Sequence, residues 1–285
     1  MKKIIYAIVA CAMIALSGTA HAAIGDLYNI NFGINSTEGQ KYSGYGAFDP
    51  NDSSLPVKPA EIEGNGYYWN QFGAGDNLTP LDPTRSLLLS DKTNGTAEGP
   101  QIAWIGDITN GTPGFDSSSP DYWLMDGQLG QLNGTHTGSV KFSNLGLGEY
   151  DLYVYTQEHL QHPQTSITLK INEELPLDIT DPGSEVTLYP NSGTSQFIGY
   201  PDKNANYVKF HINLHNAIGN NTVELLTFTV NNGLGQGQQV GVNAMQLYQV
   251  ATPEPASMTL LGVGGLIAAA RRRFKKSSGP SAKTV

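Results

Sequence analysis

Cysteine is all but missing from this 285-residue chain, and its one copy, Cys11, sits in an apolar stretch near the amino terminus. Disulfides and thiol chemistry are therefore excluded from the remaining sequence. Basic residues are scarce as well: of 16 Lys and Arg, two lie in the first 22 residues and six after residue 251, so residues 23–251 hold 8 cations against 24 acids, a net −16. A surface of that sign repels nucleic acid and anionic lipid, which excludes a nucleic-acid partner. No long stretch carries helical periodicity, and no internal repeat is visible. Hydrolase signatures are absent too: Gly25-Asp26 is followed by Leu27 where an esterase block has serine, and there is no Gly-x-Ser-x-Gly elbow.

What is present begins with an export signal over residues 1–22. Lys2 and Lys3 form a basic start, Ile4 to Leu16 an apolar run, and Ala20-His21-Ala22 a small-residue cleavage site. The other end carries Thr252-Pro253-Glu254-Pro255, an apolar run from Ala256 to Ala270, and Arg271-Arg272-Arg273-Phe274-Lys275-Lys276. Two prolines around a glutamate stop any preceding strand and delay a following helix. As a helix the fifteen apolar residues span about 22 Å, against about 30 Å of hydrocarbon. The arginines hold their end in the cytoplasm, which leaves everything before Pro253 on the far side. The expectation is a short transmembrane helix within 252–276 and a cytoplasmic tail over 277–285.

This tail resembles the PEP-CTERM sorting signal of exopolysaccharide-producing Gram-negative bacteria, through Pro253, Glu254, Pro255, Leu260-Leu261-Gly262, Leu266 and Arg271, Arg272, Arg273. The resemblance implies an exosortase, a membrane cysteine transpeptidase, as processing partner. It also implies a transient inner-membrane intermediate and a final place on the cell envelope or in the extracellular matrix. A plain carboxy-terminal membrane anchor is the alternative.

Between the two ends, short alternating runs separated by Gly, Asn, Asp, Ser and Pro recur every 10 to 20 residues, an all-β pattern. Tyr28, Ile30 and Phe32 alternate with Asn29 and Asn31, which predicts a first strand with one buried and one polar face. Val140 and Phe142 lead through Asn144-Leu145-Gly146-Leu147-Gly148 into Tyr150 to Thr156, read as a hairpin with Leu152 and Val154 inward. Val208, Phe210, Ile212 and Leu214 alternate with Lys209, His211, Asn213 and His215, another strand with a wet face. Val223 to Val230 is nearly all apolar and so central, and Val240 to Val250 closes the domain. Long polar loops at 41–66 and 105–122 fit the ends of a two-sheet sandwich over residues 23–251. The segments Ile30-Asn31-Phe32-Gly33, Trp69-Asn70, Leu147 to Tyr155 and Val242 to Leu247 resemble galactose-binding-like jelly-roll ectodomains. That resemblance implies a jelly roll and carries over no catalytic residue.

Candidate chemistry is thin. His211 and His215 would chelate on a helix, but on a strand they stand about 13 Å apart. His159 and His162 lack a carboxylate or thiolate that completes a site, and the glycines at 233, 235 and 237 precede no helix. Asp49, Asn51 and Asp52, or Asp116 with Ser117, offer the hard oxygens that suit a structural Ca²⁺; no other cofactor is expected. The aromatic clusters Tyr67-Tyr68-Trp69 and Tyr122-Trp123 end the two long loops and suit stacking on sugar rings, with core packing as the competing role for Trp69 and Trp123. The resulting expectation is a non-enzymatic surface module associated with exopolysaccharide, binding a neutral polysaccharide. A ligand-free structural matrix protein and a secreted glycan hydrolase or esterase are the alternatives.

Overall fold

The computed structural model describes residues 24–33, 68–72, 85–89, 100–110, 124–125, 127–130, 137–156, 164–171, 179–181, 185–188, 196–214, 223–230 and 241–251. These residues form strands β1 (Leu27–Phe32), β2 (Asn70–Phe72), β3 (Arg85–Ser86), β4 (Gln101–Ile105), β5 (Asp107–Asn110), β6 (Gly127–Gly130) and β7 (Thr137–Ser143). The second half supplies β8 (Gly148–Tyr155), β9 (Gln164–Ile171), β10 (Ile179–Asp181), β11 (Glu185–Leu188), β12 (Tyr207–Leu214), β13 (Val223–Val230) and β14 (Ala244–Ala251). Among the described residues no helix is long and apolar enough to cross a membrane, and the expected signal, sorting helix and tail lie outside them.

Two six-stranded sheets result. Sheet A runs β10-β12-β8-β14-β1-β2 and sheet B runs β11-β9-β13-β7-β4-β3, with β5 and β6 as a separate pair. From β7 to β14 each successive strand changes sheet, the weave of a jelly roll. The all-β sandwich expected from the alternating runs is therefore the fold, and β13 is central as its apolar run predicted. The hairpin expected across residues 144–148 is not there. β7 pairs with β13 and β4, whereas β8 pairs with β12 and β14, so Asn144 to Gly148 is a corner between sheets. The backbone explains the bend: Asn144 has φ 58° and Gly148 φ 148°, and the Tyr150 hydroxyl donates to the Gly146 carbonyl at 2.9 Å.

The main core lies between the sheets, with Ile30, Phe32, Leu152, Val154, Phe210 and Leu247 from sheet A meeting Ile102, Trp104, Val140, Phe142, Ile167 and Val186 from sheet B. Phe32, Phe72 and Trp104 pack against one another in tilted and edge-on pairs with centroids 4.7 to 6.3 Å apart. The polar face predicted for β1 is that of Asn29 and Asn31, and the structure adds that it is covered: Asn29 is fully buried and Asn31 only 3% exposed. Opposite them on β14, Gln246 and Ala244 are buried as well, so the centre of sheet A is covered on both faces.

Leu124, Met125 and the strand that starts at Gly127 are fastened to that covered region. Leu129 and Val242 exchange backbone hydrogen bonds of 2.8 and 3.0 Å, and Asn243 Nδ2 donates to the carbonyls of Met125 and Gly127. Gly127 lies so close to β1 that a Cβ there would stand 2.0 Å from the Phe32 carbonyl oxygen, whereas one on Gly33 would meet nothing nearer than 3.8 Å. Gly127→Ala should accordingly lower stability by about 3 kcal/mol or prevent folding, because backbone must move to admit the methyl, while Gly33→Ala changes it little. Urea denaturation of both variants checks this.

Burial also sets the alkaline limit. Tyr28 and Tyr150 are held well above the ordinary 10.0, chiefly by burial and next by the Asp26 carboxylate. The folded state keeps these protons where the unfolded chain would release them, so their contribution is whole below about pH 10 and is lost as pH rises beyond it. Tyrosinate absorbance should thus rise for these two rings only together with loss of the sheet circular-dichroism signal. Their ionisation in a still-folded domain would contradict the burial.

Candidate functional site

The strand pair β8–β12 carries a row of polar and aromatic side chains on its outer face, open at Glu149, Tyr153, Tyr207, Lys209, His211 and Asn213. Along β12 the side chains of Val208, Phe210, Ile212 and Leu214 enter the core, which leaves Tyr207, Lys209, His211 and Asn213 outward. On β8, Tyr150, Leu152 and Val154 point in, leaving Glu149, Asp151, Tyr153 and Tyr155 on the same outer face. The antiparallel register sets Tyr155 opposite Tyr207, Tyr153 opposite Lys209, Asp151 opposite His211 and Glu149 opposite Asn213. Four cross-strand pairs thus form one row.

Its aromatic end is tightly fixed. Tyr153 and Tyr207 lie within 28° of parallel, centroids 6.3 Å apart; Tyr155 meets Phe197 at 5.3 Å and Tyr207 at 5.9 Å. Tyr207 is half-buried, and burial, offset in part by the Lys209 ammonium, raises its hydroxyl above the ordinary range. The loop before it is held by Asn206, which accepts from the Ile198 N–H at 2.8 Å and donates to the Gln196 carbonyl at 3.0 Å. Gly199 leaves room for the Tyr207 hydroxyl, since a Cβ there would lie 2.7 Å from that oxygen.

The polar end is a connected set. His211 Nδ1 lies 2.7 Å from Asp151 Oδ1, and because a carboxylate oxygen accepts, that nitrogen carries the proton. Lys209 Nζ reaches Asp151 Oδ2 at 3.4 Å, His211 Nε2 stands 3.8 Å from Glu149 Oε2, and Asn213 Nδ2 donates to Glu149 Oε1 at 3.5 Å. The side chains of Lys209 and Glu149 are 47% and 42% exposed, so these pairs orient groups more than they stabilise the fold. Among the described residues no three His, Cys, Asp or Glu side chains gather as a metal site. His211 faces outward as its alternation predicted; its proposed partner His215 lies outside the described residues, as do Asp49, Asn51, Asp52, Asp116 and Ser117.

The aromatics singled out in the sequence fare differently. Trp69 is 3% exposed and packs with Leu124, Met125, Tyr155 and Ala244, so its ring belongs to the covered outer layer and cannot stack on a ligand. Tyr68 is half-buried, and its carbonyl accepts from Asn29 Nδ2 at 2.9 Å. Tyr67, Tyr122 and Trp123 lie outside the described residues. The β8–β12 row was not anticipated as a site, although the parity of both strands already sends its members outward.

A buried relay connects the row to the Tyr68 segment. The Tyr155 hydroxyl donates to Gln246 Oε1, Gln246 Nε2 donates to Asn29 Oδ1 at 2.8 Å, and Asn29 donates to the Tyr68 carbonyl. Gln246→Leu would leave a buried hydroxyl and a buried amide oxygen without these partners, a cost of about 2 kcal/mol. With Tyr155→Phe added, the combined loss should fall short of additivity by at least about 0.5 kcal/mol, read from a double-mutant cycle of urea denaturation.

Comparison with known proteins bears on the tail. Residues 251–273 match the PEP-CTERM protein-sorting motif. No curated protein matches the chain. Among solved structures, an exo-β-1,3-galactanase from Phanerochaete chrysosporium with β-1,3-galactotriose is similar over 55% of this chain at 17% identity and TM-score 0.26. The chain spans only 31% of that enzyme. TmCBM61 in complex with β-1,4-galactotriose is similar over 53% of this chain and 88% of its own, at 9% identity and TM-score 0.25. Superpositions that loose bear on neither fold nor ligand. The sorting motif is specific, and it marks the chain as an exported protein, sorted to the cell envelope and processed by an exosortase.

Proposed function

We propose that this protein is a non-enzymatic envelope or matrix module associated with exopolysaccharide, delivered through an inner-membrane intermediate and released by exosortase at its Pro253-Glu254-Pro255 signal. The observation that carries the reading is the sorting motif over residues 251–273, which follows directly on a β-sandwich. The charge supports a matrix setting: residues 23–251 carry 24 acids against 8 cations, which keeps such a domain soluble among polymers and favours uncharged polysaccharide over uronate-rich or sulfated chains. A structural Ca²⁺ bound by the loop oxygens of Asp49, Asn51, Asp52, Asp116 or Ser117 is compatible with this role.

A catalytic reading finds less support. The outward carboxylates of Asp151 and Glu149 are engaged by Lys209, His211 and Asn213. Glu254→Ala should leave an unprocessed precursor in the inner membrane, seen as higher mass and membrane fractionation on an immunoblot. Deleting the exosortase should give the same species. Unchanged mass and location in both would replace sorting with a plain membrane anchor.

A further inference from the structure

Resting on the exopolysaccharide association proposed above, we infer that the outward face of β8 and β12 is a binding surface for one extended, uncharged polysaccharide chain, with Tyr153 and Tyr207 against sugar rings and the Asp151–His211–Lys209 and Glu149–Asn213 groups on hydroxyls. The length of the row is the first argument. Along β12, from the half-buried Tyr207 to Asn213 is six residues of strand, about 20 Å at roughly 3.4 Å per residue, while Tyr155 opposite Tyr207 is buried and backs the row. That accommodates several units of an extended chain and is far too long for a single sugar. No bulge interrupts the row, because all four pairs share one antiparallel register without a shift.

Its chemistry divides as a carbohydrate does. A pyranose ring offers an apolar face and a rim of hydroxyls that both donate and accept. Two nearly parallel, half-buried tyrosines provide the apolar contact. Donors at Lys209 Nζ and Asn213 Nδ2 and acceptors on Glu149 and Asp151 provide both hydrogen-bonding senses within the same row. The rings are held before any ligand arrives, Tyr207 by Phe197, Tyr155 and the space at Gly199, and Tyr153 by Tyr207, so little rotamer freedom is left to lose on binding.

Charge selects the polymer. The row sets two carboxylates against one ammonium and an imidazole, within a domain of net −16. A polyanion meets repulsion at the exposed Glu149 and at long range, whereas a neutral chain meets only oriented hydrogen-bonding groups. The adjacent centre of sheet A is covered by Trp69, Leu124 and Met125, so the open row borders a closed wall on its β14 side.

The test uses the full-length protein and neutral gluco-, xylo-, manno- and galacto-oligosaccharides of one to six units, with polygalacturonate and chitosan oligomers as charged comparators. Affinity for at least one neutral series should rise about tenfold or more from one unit to four and then level off. Tyr153→Ala and Tyr207→Ala, verified as folded by circular dichroism, should each weaken it roughly fivefold. Should either variant fail to fold, hydrogen exchange of the unaltered protein serves instead, with ligand slowing exchange in peptides covering 149–155 and 207–213. Equal affinity for monomer and hexamer, preference for either charged comparator, or protection confined to other segments overturns the inference. So does absence of binding to every neutral series at about 10 mM, a result that leaves the sorting outcome of Glu254→Ala untouched.

Discussion

Burial of both faces of β1 and β14 is the constraint from which the rest of the arrangement follows. One face of these strands completes the core between the sheets, through Ile30, Phe32, Met245 and Leu247. The other face carries Leu27, Asn29, Ala244, Gln246 and Tyr248, all at 0% exposure. A buried amide without partners costs more than its hydrogen bonds return, so Asn29 and Gln246 require the relay from the Tyr155 hydroxyl to the Tyr68 carbonyl. That relay fixes where Tyr155 and the Tyr68–Trp69 segment sit. It thereby sets the boundary between the covered centre of sheet A and its open β8–β12 margin.

The edge of the sandwich obeys the same rule. Asn70 Nδ2 donates to the carbonyls of Asn29 and Leu88, and the Leu88 N–H donates to Asn70 Oδ1, so one buried amide links sheet A to the segment that continues β3 of sheet B. Gln249 departs from that rule. It is fully buried, yet neither atom of its amide has a hydrogen-bond partner among the described residues, and it packs against Gly148, where a Cβ would stand 2.9 Å from its nitrogen. A buried group of that kind is a net cost to the fold, borne where the corner brings β8 back beside β14.

Much of this was legible in the chain, and what was not has a physical cause. Period-2 alternation at Tyr28, Ile30 and Phe32 correctly marked a strand and its core face, but asparagines opposite such residues read the same whether they meet water or a buried amide. Their partners come from Tyr68 and Gln246, far along the chain. The five residues from Asn144 to Gly148 have the composition of a tight turn, and a tight turn joins neighbours in one sheet as readily as it rounds a corner. Pairing with β13 and β4 decides it, and that information lies outside the local sequence. Trp69 shows the same limit: an aromatic ending a polar loop can face solvent or enter a layer, and Leu124 and Met125, some 55 residues on, settle the matter. For the β8–β12 row, each strand's outward set could be read from parity alone, whereas the register that lines up Asp151 with His211 could not.

The junction between domain and address follows from where β14 lies. It runs between β8 and β1, with its pairing to β8 continuing to Ala251 opposite Glu149, and Gln249 donating its N–H to the Asp26 carbonyl. The sorting motif begins at that same Ala251, and Pro253, two residues later in the sequence, lacks the N–H that a ladder needs. A central strand cannot be drawn out without breaking two ladders. The ladders of β14 with β1 and β8, and the relay through Gln246 that positions the β8–β12 row, are made by residues that precede Pro253 in the sequence.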